Sequence, residues 1–106
     1  MALDAHIIAA DGTVDQNRFA EIGVDAHAEL CRDIGDQGQF PMLSRLRDYY
    51  ADATYGPDEV ASLAGEVDRA AEQLPSGHSA RKFLETLRER CGDAASKGAG
   101  IVLYAD

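Results

Sequence analysis

Apolar runs without helical periodicity lie near both ends of the chain. Residues 2–9 are mostly apolar and stop at the turn signal Asp11-Gly12, so they predict a strand. Residues 18–24 predict a second strand. Residues 101–105, which are β-branched and aromatic, predict the clearest strand of all. Because terminal strands are commonly tied into a sheet, we expect these two ends of the chain to pair.

Between these runs, apolar residues recur every three or four positions, the spacing of helices with one buried face. Four helices are predicted, over residues 26–34, 41–53, 57–74 and 79–97. Local signals agree: Asp25 as N-cap and Gly35 as end of the first helix, Pro41 and Pro57 at first helical positions, and Gly98 as the last C-cap.

This order of elements predicts a single α+β domain over residues 1–106. We expect a small antiparallel sheet of two or three strands, including both termini, with four helices covering one face. The strands are too few and too far apart for alternating βαβ units, which argues against a doubly wound nucleotide fold.

Charge narrows the choice of partner. The net charge is −9, and residues 1–75 carry 15 acidic against 5 basic side chains. Such a chain repels nucleic acid and anionic membranes, and it attracts basic surfaces. We therefore expect a protein partner, with no nucleic acid and no membrane.

The cysteines and the lengths of the apolar runs bear on the cellular compartment in which the protein is expected. Cys31 and Cys91 fall on apolar helix faces and are expected to be free thiols, although a bridge stays open if their helices pack. Neither a basic, apolar leader nor an apolar run of membrane-spanning length is recognisable. A reduced, cytoplasmic location is the expectation.

One segment, Asp48–Glu59, combines three of the four tyrosines with four carboxylates and no basic residue; we call it the acid-tyrosine segment. Tyrosine supplies amphipathic contact area, and carboxylates supply long-range attraction. Tyr49 and Tyr50 continue a helical stripe, so at least one should be core, whereas Tyr55 lies between helices and is expected to be exposed. The predicted partner-binding residues are Asp48, Tyr49, Tyr50, Asp52, Tyr55, Asp58 and Glu59.

The candidate catalytic and metal-binding segments of the sequence lack the residue spacing that those motifs require. Asp11–Asn17 has glutamine where a calcium loop needs glycine, and His27 with Cys31 makes only half of a zinc site. No serine stands in a nucleophile elbow, and Gly98–Gly100 precedes a strand rather than a helix, so it cannot cradle phosphate. We expect no metal, no cofactor and no enzymatic activity.

The chain resembles the small acidic immunity proteins of bacterial polymorphic toxin systems. The resemblance lies in residues 40–52, in the helix start Pro57-Asp58-Glu59-Val60 and in the closing residues 100–106. It implies a protein that binds and neutralises a basic toxin domain. These families share no fold, so the resemblance assigns no contact residues.

Two other functions stay open. One is a small ligand-binding protein or enzyme whose site forms where sheet and helices meet, with His6, His78 and Tyr104 as the residues of interest. The other is a structural homodimer.

Overall fold

The structure is a computed structural model, and it describes residues 2–34 and 38–105. Its strands are β1 (Ala2–Ile8), β2 (Ala20–Gly23), β3 (Ala53–Tyr55) and β4 (Gly100–Ala105), and its α-helices are α1 (Val24–Ile34), α2 (Val60–Gln73) and α3 (Arg81–Lys97). A 3-10 turn spans Leu43–Leu46. The α+β class is confirmed. Gly35, the predicted end of the first helix, lies outside the described residues.

The strands form one antiparallel sheet in the order β2-β1-β4-β3. The two terminal strands pair along their length, from Leu3 opposite Ala105 to Ile8 opposite Gly100. Their predicted pairing is confirmed, and it puts both in the centre of the sheet. The sequence predicts two or three strands because β3, at three residues, is too short for its alternation to stand out.

Alternation along the strands separates two faces of the sheet. The inner face is buried against the helices; it carries Leu3, Ala5, Ile22, Ala53, Tyr55, Ile101 and Leu103. The opposite face, which we call the open face, carries Asp4, His6, Glu21, Thr54, Val102 and Tyr104. Apart from Val102, these side chains are half-buried or exposed.

Helices α2 and α3 pack on each other, and α3 also packs on β2 and β4. The apolar stripes of both helices join the core, as predicted. Ala95 is an exception, since it is exposed although the pattern points it inward. α3 ends at Gly98, whose φ of 65° is the left-handed conformation that glycine adopts most readily. Over residues 2–34 and 38–105, no helix is both long and apolar enough to cross a membrane.

The predicted helix over 41–53 is wrong, and only the 3-10 turn Leu43–Leu46 forms there. Leu43, Leu46 and Tyr49 are buried at a spacing of three, which fits a 3-10 turn better than an α-helix. The Asp48 carboxylate accepts the N–H of Tyr50 at 2.9 Å, so this side chain offers the backbone an alternative to a helix. In the part of the chain that the structure describes, three α-helices therefore form where four were expected.

Candidate functional site

The acid-tyrosine segment does not form one exposed surface, because Tyr55 is buried. Its side chain is 0% exposed, and its hydroxyl donates to the Met42 carbonyl at 2.6 Å. The Arg45 guanidinium lies 5.2 Å from the ring centroid. β3 directs alternate residues inward, and Tyr55 is one of them. The expectation that Tyr55 is an exposed anchor is wrong.

The neighbouring tyrosines divide between core and surface. Tyr49 is buried with its ring centroid 4.9 Å from that of His27. Tyr50 is 71% exposed, and its ring meets Tyr49 edge-on at 5.6 Å. The structure thus assigns Tyr49 to the core and leaves Tyr50 available on the surface.

Two carboxylates of the segment are engaged in the fold. Asp52 accepts the N–H of Ala105 at 2.8 Å and so fastens the end of β4. Glu59 forms a two-pronged ion pair with Arg45 and accepts the N–H of Gly56 at 3.0 Å. The hydrogen bond from Arg45, helped by that from Gly56, lowers the pKa of Glu59 to about 2.

The other two carboxylates, Asp48 and Asp58, are exposed. Among the described residues, the Asp48 carboxylate bonds only to the local N–H of Tyr50. Within the described ranges, Asp58 forms no hydrogen bond or ion pair. Both therefore remain free to face a partner.

Glu66 is a buried acid that sequence reasoning missed. It is 4% exposed, and its carboxylate accepts the N–H groups of Met42 at 2.8 Å and of Leu43 at 3.0 Å. The available signal is its position on α2, three residues after buried Leu63. Because both bonds end on the main chain of the 3-10 turn, Glu66 caps that turn from another element.

His27 and Cys31 lie together, but not as a metal site. His27 is buried and its Nε2–H donates to the Leu46 carbonyl, so this nitrogen has no lone pair for a metal. The Cys31 sulfur lies 3.7 Å from the same nitrogen. Across residues 2–34 and 38–105, no group of three metal-ligating side chains is found. Cys31 and Cys91 are both free thiols, so no bridge joins their helices.

Of the three residues considered for a sheet–helix site, only two come together. His6 and Tyr104 are neighbours on the open face, with ring centroids 5.6 Å apart. His78 lies in the α2–α3 connection, where Nε2 donates to Asp33 at 2.8 Å and Nδ1 accepts the N–H of Ala80 at 3.1 Å. These bonds hold His78 against α1, so it joins no site with the other two.

The open face gathers acids that are far apart in sequence. Strand register puts Asp4 opposite Glu21 on one side and opposite Tyr104 on the other. Asp52, bound to the N–H next to Tyr104, extends the line. We call Glu21, Asp4, Tyr104 and Asp52 the acidic row. Arg18 lies 3.4 Å from Asp4 and 3.3 Å from Glu21, and Tyr104 is 37% exposed.

A groove of about 600 Å³ lies elsewhere, between β2 and α3. Its lining includes Phe19, Ile22, Lys82 and Phe83, and it includes none of His6, His78 and Tyr104. The sheet–helix junction therefore does carry a concavity, but with different residues from those the sequence suggested.

Comparison with known proteins adds no relative. No protein-family model, no curated protein and no solved structure matches the chain. The resemblance to immunity proteins stays a prediction, and the assignment of function rests on the geometry of the site.

Proposed function

We propose that this protein binds a basic protein partner through the acidic row on its open face, as a small immunity protein binds a toxin domain. The observation that supports this is the register of the sheet, which aligns Glu21, Asp4 and Tyr104 across three strands. A partner surface rich in lysine and arginine would complement that line.

Tyr104 is the central contact of the proposed interface. It stands between Asp4 and Asp52, its ring is braced by His6 at 5.6 Å, and part of the ring is exposed. Aromatic side chains held in place and flanked by charge are typical of residues that dominate binding energy. Tyr104 therefore takes the role in partner binding that was predicted for Tyr55.

In the unbound protein, Arg18 occupies the position that a cationic side chain of the partner would take. It bridges Asp4 and Glu21 while its own side chain is 53% exposed. An exposed ion pair of this kind contributes only about 0–1 kcal/mol, so an incoming guanidinium can displace it at little cost. The two carboxylates are thereby kept close together before binding.

The rest of the surface supplies attraction at a distance. With a net charge of −9, the protein draws a cationic partner inward and speeds encounter at low salt. Asp48, Tyr50 and Asp58, exposed members of the acid-tyrosine segment, belong to this wider contact area. Tyr49, Tyr55 and Glu59 act on binding only through the fold.

The proposal is of a binding protein without catalysis, cofactor, nucleic acid or membrane partner, and it places the protein in the reducing cytoplasm. Both cysteines are free thiols, which that compartment maintains.

The test begins with co-purification from the native cell to identify a basic partner. Binding kinetics are then measured for the parent, Asp4→Asn and Tyr104→Ala at low and physiological salt. We expect Asp4→Asn to slow association and flatten its salt dependence. Tyr104→Ala should weaken binding by about 2 kcal/mol, mainly through faster dissociation.

Glu89→Gln is the matched control. Glu89 is an exposed acid on α3, and within the described ranges it has no ion-pair partner. Its replacement changes net charge as much as Asp4→Asn does, yet away from the open face. Parent-like binding by Tyr104→Ala, or equal effects of Asp4→Asn and Glu89→Gln, would rule out the acidic row as the contact surface.

A further inference from the structure

The groove beside β2 follows the free edge of the sheet. Four consecutive residues, Ala20 to Gly23, line it. Successive side chains of a strand point to opposite faces, so a cavity on one face would be lined by alternate residues only. The groove therefore runs along the strand edge, where main-chain N–H and C=O groups lack a neighbouring strand.

The opposite edge of the sheet, formed by β3, is covered by a side chain. There, Arg45 Nη1 donates to the main-chain carbonyl of Thr54 at 2.9 Å and is itself held by Glu59. Along residues 2–34 and 38–105, no side chain forms a hydrogen bond with the main chain of Ala20–Gly23. One edge is covered by a side chain, and the other borders an open groove.

The walls of the groove combine apolar surface with one cation. Phe19, Ile22 and Phe83 supply the apolar part. Lys82 is the basic residue in the lining, is exposed, and has no ion-pair partner among the described residues. The acidic lining residue Glu21 is engaged by Arg18 at 3.3 Å. An uncompensated ammonium group thus stands beside an apolar slot.

We propose that this groove binds an extended segment of a partner protein, which adds to β2 as a fifth strand. Main-chain bonds to the edge would supply affinity, and alternate side chains would supply specificity. One apolar side chain enters between Ile22 and Phe83, and one carboxylate pairs with Lys82. The groove shares Glu21 with the acidic row. Strand addition uses the main chain of β2 and the side chain of Lys82, so it does not depend on the acidic row binding a partner.

Charge favours a foreign strand over a second copy of this chain. Two copies would each bring a net charge of −9 to the contact, and their repulsion opposes association. A partner segment needs only one carboxylate, placed where Lys82 attracts it. We accordingly expect the isolated protein to sediment as a monomer.

The test uses a displayed library of short random peptides, selected on the full chain. We expect enriched peptides to alternate apolar and polar residues and to share an acid at one position. Lys82→Glu should weaken a selected peptide at least about tenfold, as expected for loss of a charge-assisted bond. Lys97→Glu, the same change at an exposed lysine at the far end of α3, should leave binding unchanged.

N-methylation of the selected peptide tests the strand itself. Two versions of the peptide are compared, one methylated at the odd-numbered amides and one at the even-numbered amides. One version should lose binding and the other should keep it, because only one of the two sets of N–H groups faces β2. Equal loss of binding in the two methylated peptides would overturn strand addition. So would failure to enrich peptides, indifference to Lys82→Glu, or a dimer in sedimentation that Lys82→Glu dissociates.

Discussion

Tyr55 and Glu66 hold the main chain of Met42 from its two sides. The tyrosine hydroxyl donates to the Met42 carbonyl at 2.6 Å, and the carboxylate accepts the Met42 N–H at 2.8 Å. Both side chains are buried, so each bond satisfies a polar group that water cannot reach. The polar atoms therefore fix the irregular segment before β3 in one conformation.

Tyr55 should be sensitive to truncation. Removing only the hydroxyl in Tyr55→Phe should lower the free energy of unfolding by about 1 kcal/mol. Tyr55→Ala should lower it by about 3–5 kcal/mol, because a cavity opens in the core. Urea denaturation measures both.

Tyr50→Ala is the control for that experiment, because Tyr50 is 71% exposed and should change stability by no more than about 0.5 kcal/mol. If Tyr55→Ala were tolerated equally well, the buried position of Tyr55 would be wrong. The sequence alone predicts that tolerance, since it places Tyr55 on the surface.

Residue-level prediction from the sequence fails where a short strand or a distant register decides burial. The pattern correctly makes one of Tyr49 and Tyr50 core, because a stripe of several residues carries that signal. Tyr55 has only a three-residue strand around it, which is too short for alternation to be read. The acidic row depends on the pairing of Asp4 with Tyr104, and no local pattern encodes a contact across 100 positions.

At the scale of elements, helices with long apolar stripes are predictable and the irregular segment is not. α2 and α3 appear where their periodicity places them, within a few residues at each end. The stretch 41–53 has the same spacing, yet bonds from Glu66, Tyr55 and Asp48 direct its backbone elsewhere. These bonds come largely from distant residues, so local propensity could not reveal them.

Glu59 makes the start of α2 sensitive to acid. Its pKa is lowered to about 2 from an ordinary 4.5, chiefly by the hydrogen bond from Arg45. A lowered folded-state pKa means that its stabilising contribution is complete above 4.5 and is lost as pH falls through about 2. We expect Glu59→Gln to be less stable than the parent near neutral pH and to converge with it in acid.

Urea denaturation across this pH range measures the difference. Asp58→Asn removes the same charge one residue away, where the described structure shows no partner, and is therefore the control for the change in net charge. If the free energy of unfolding of Glu59→Gln differed from that of the parent by the same amount at all pH values, the ion pair with Arg45 would not contribute to stability.

At the scale of the whole molecule, the core encloses one thiol and leaves the other near the surface. Cys91 is 1% exposed, and burial raises its pKa to about 11. Cys31 is half-buried on α1. Because the thiolate is the reactive form, both burial and the raised pKa protect Cys91.

Thiol modification should therefore report on global unfolding. We expect Cys31 to react first with a disulfide reagent in native buffer. Cys91 should react only at the rate of complete unfolding, which Cys31→Ser isolates by leaving one thiol. Fast labelling of Cys91 in that variant would contradict a close-packed interface between α2 and α3.

The central position of β4 has a consequence for synthesis. The ribosome makes this strand after β1, β2 and β3, yet β4 lies between β1 and β3 and pairs with both. Until residues 100–105 emerge, β3 has no strand beside it and the inner face lacks Ile101 and Leu103. Pairing across nearly the whole chain also closes a large loop, which slows folding. A nascent chain stalled before Gly100 would therefore expose an apolar half-core and be a client for chaperones.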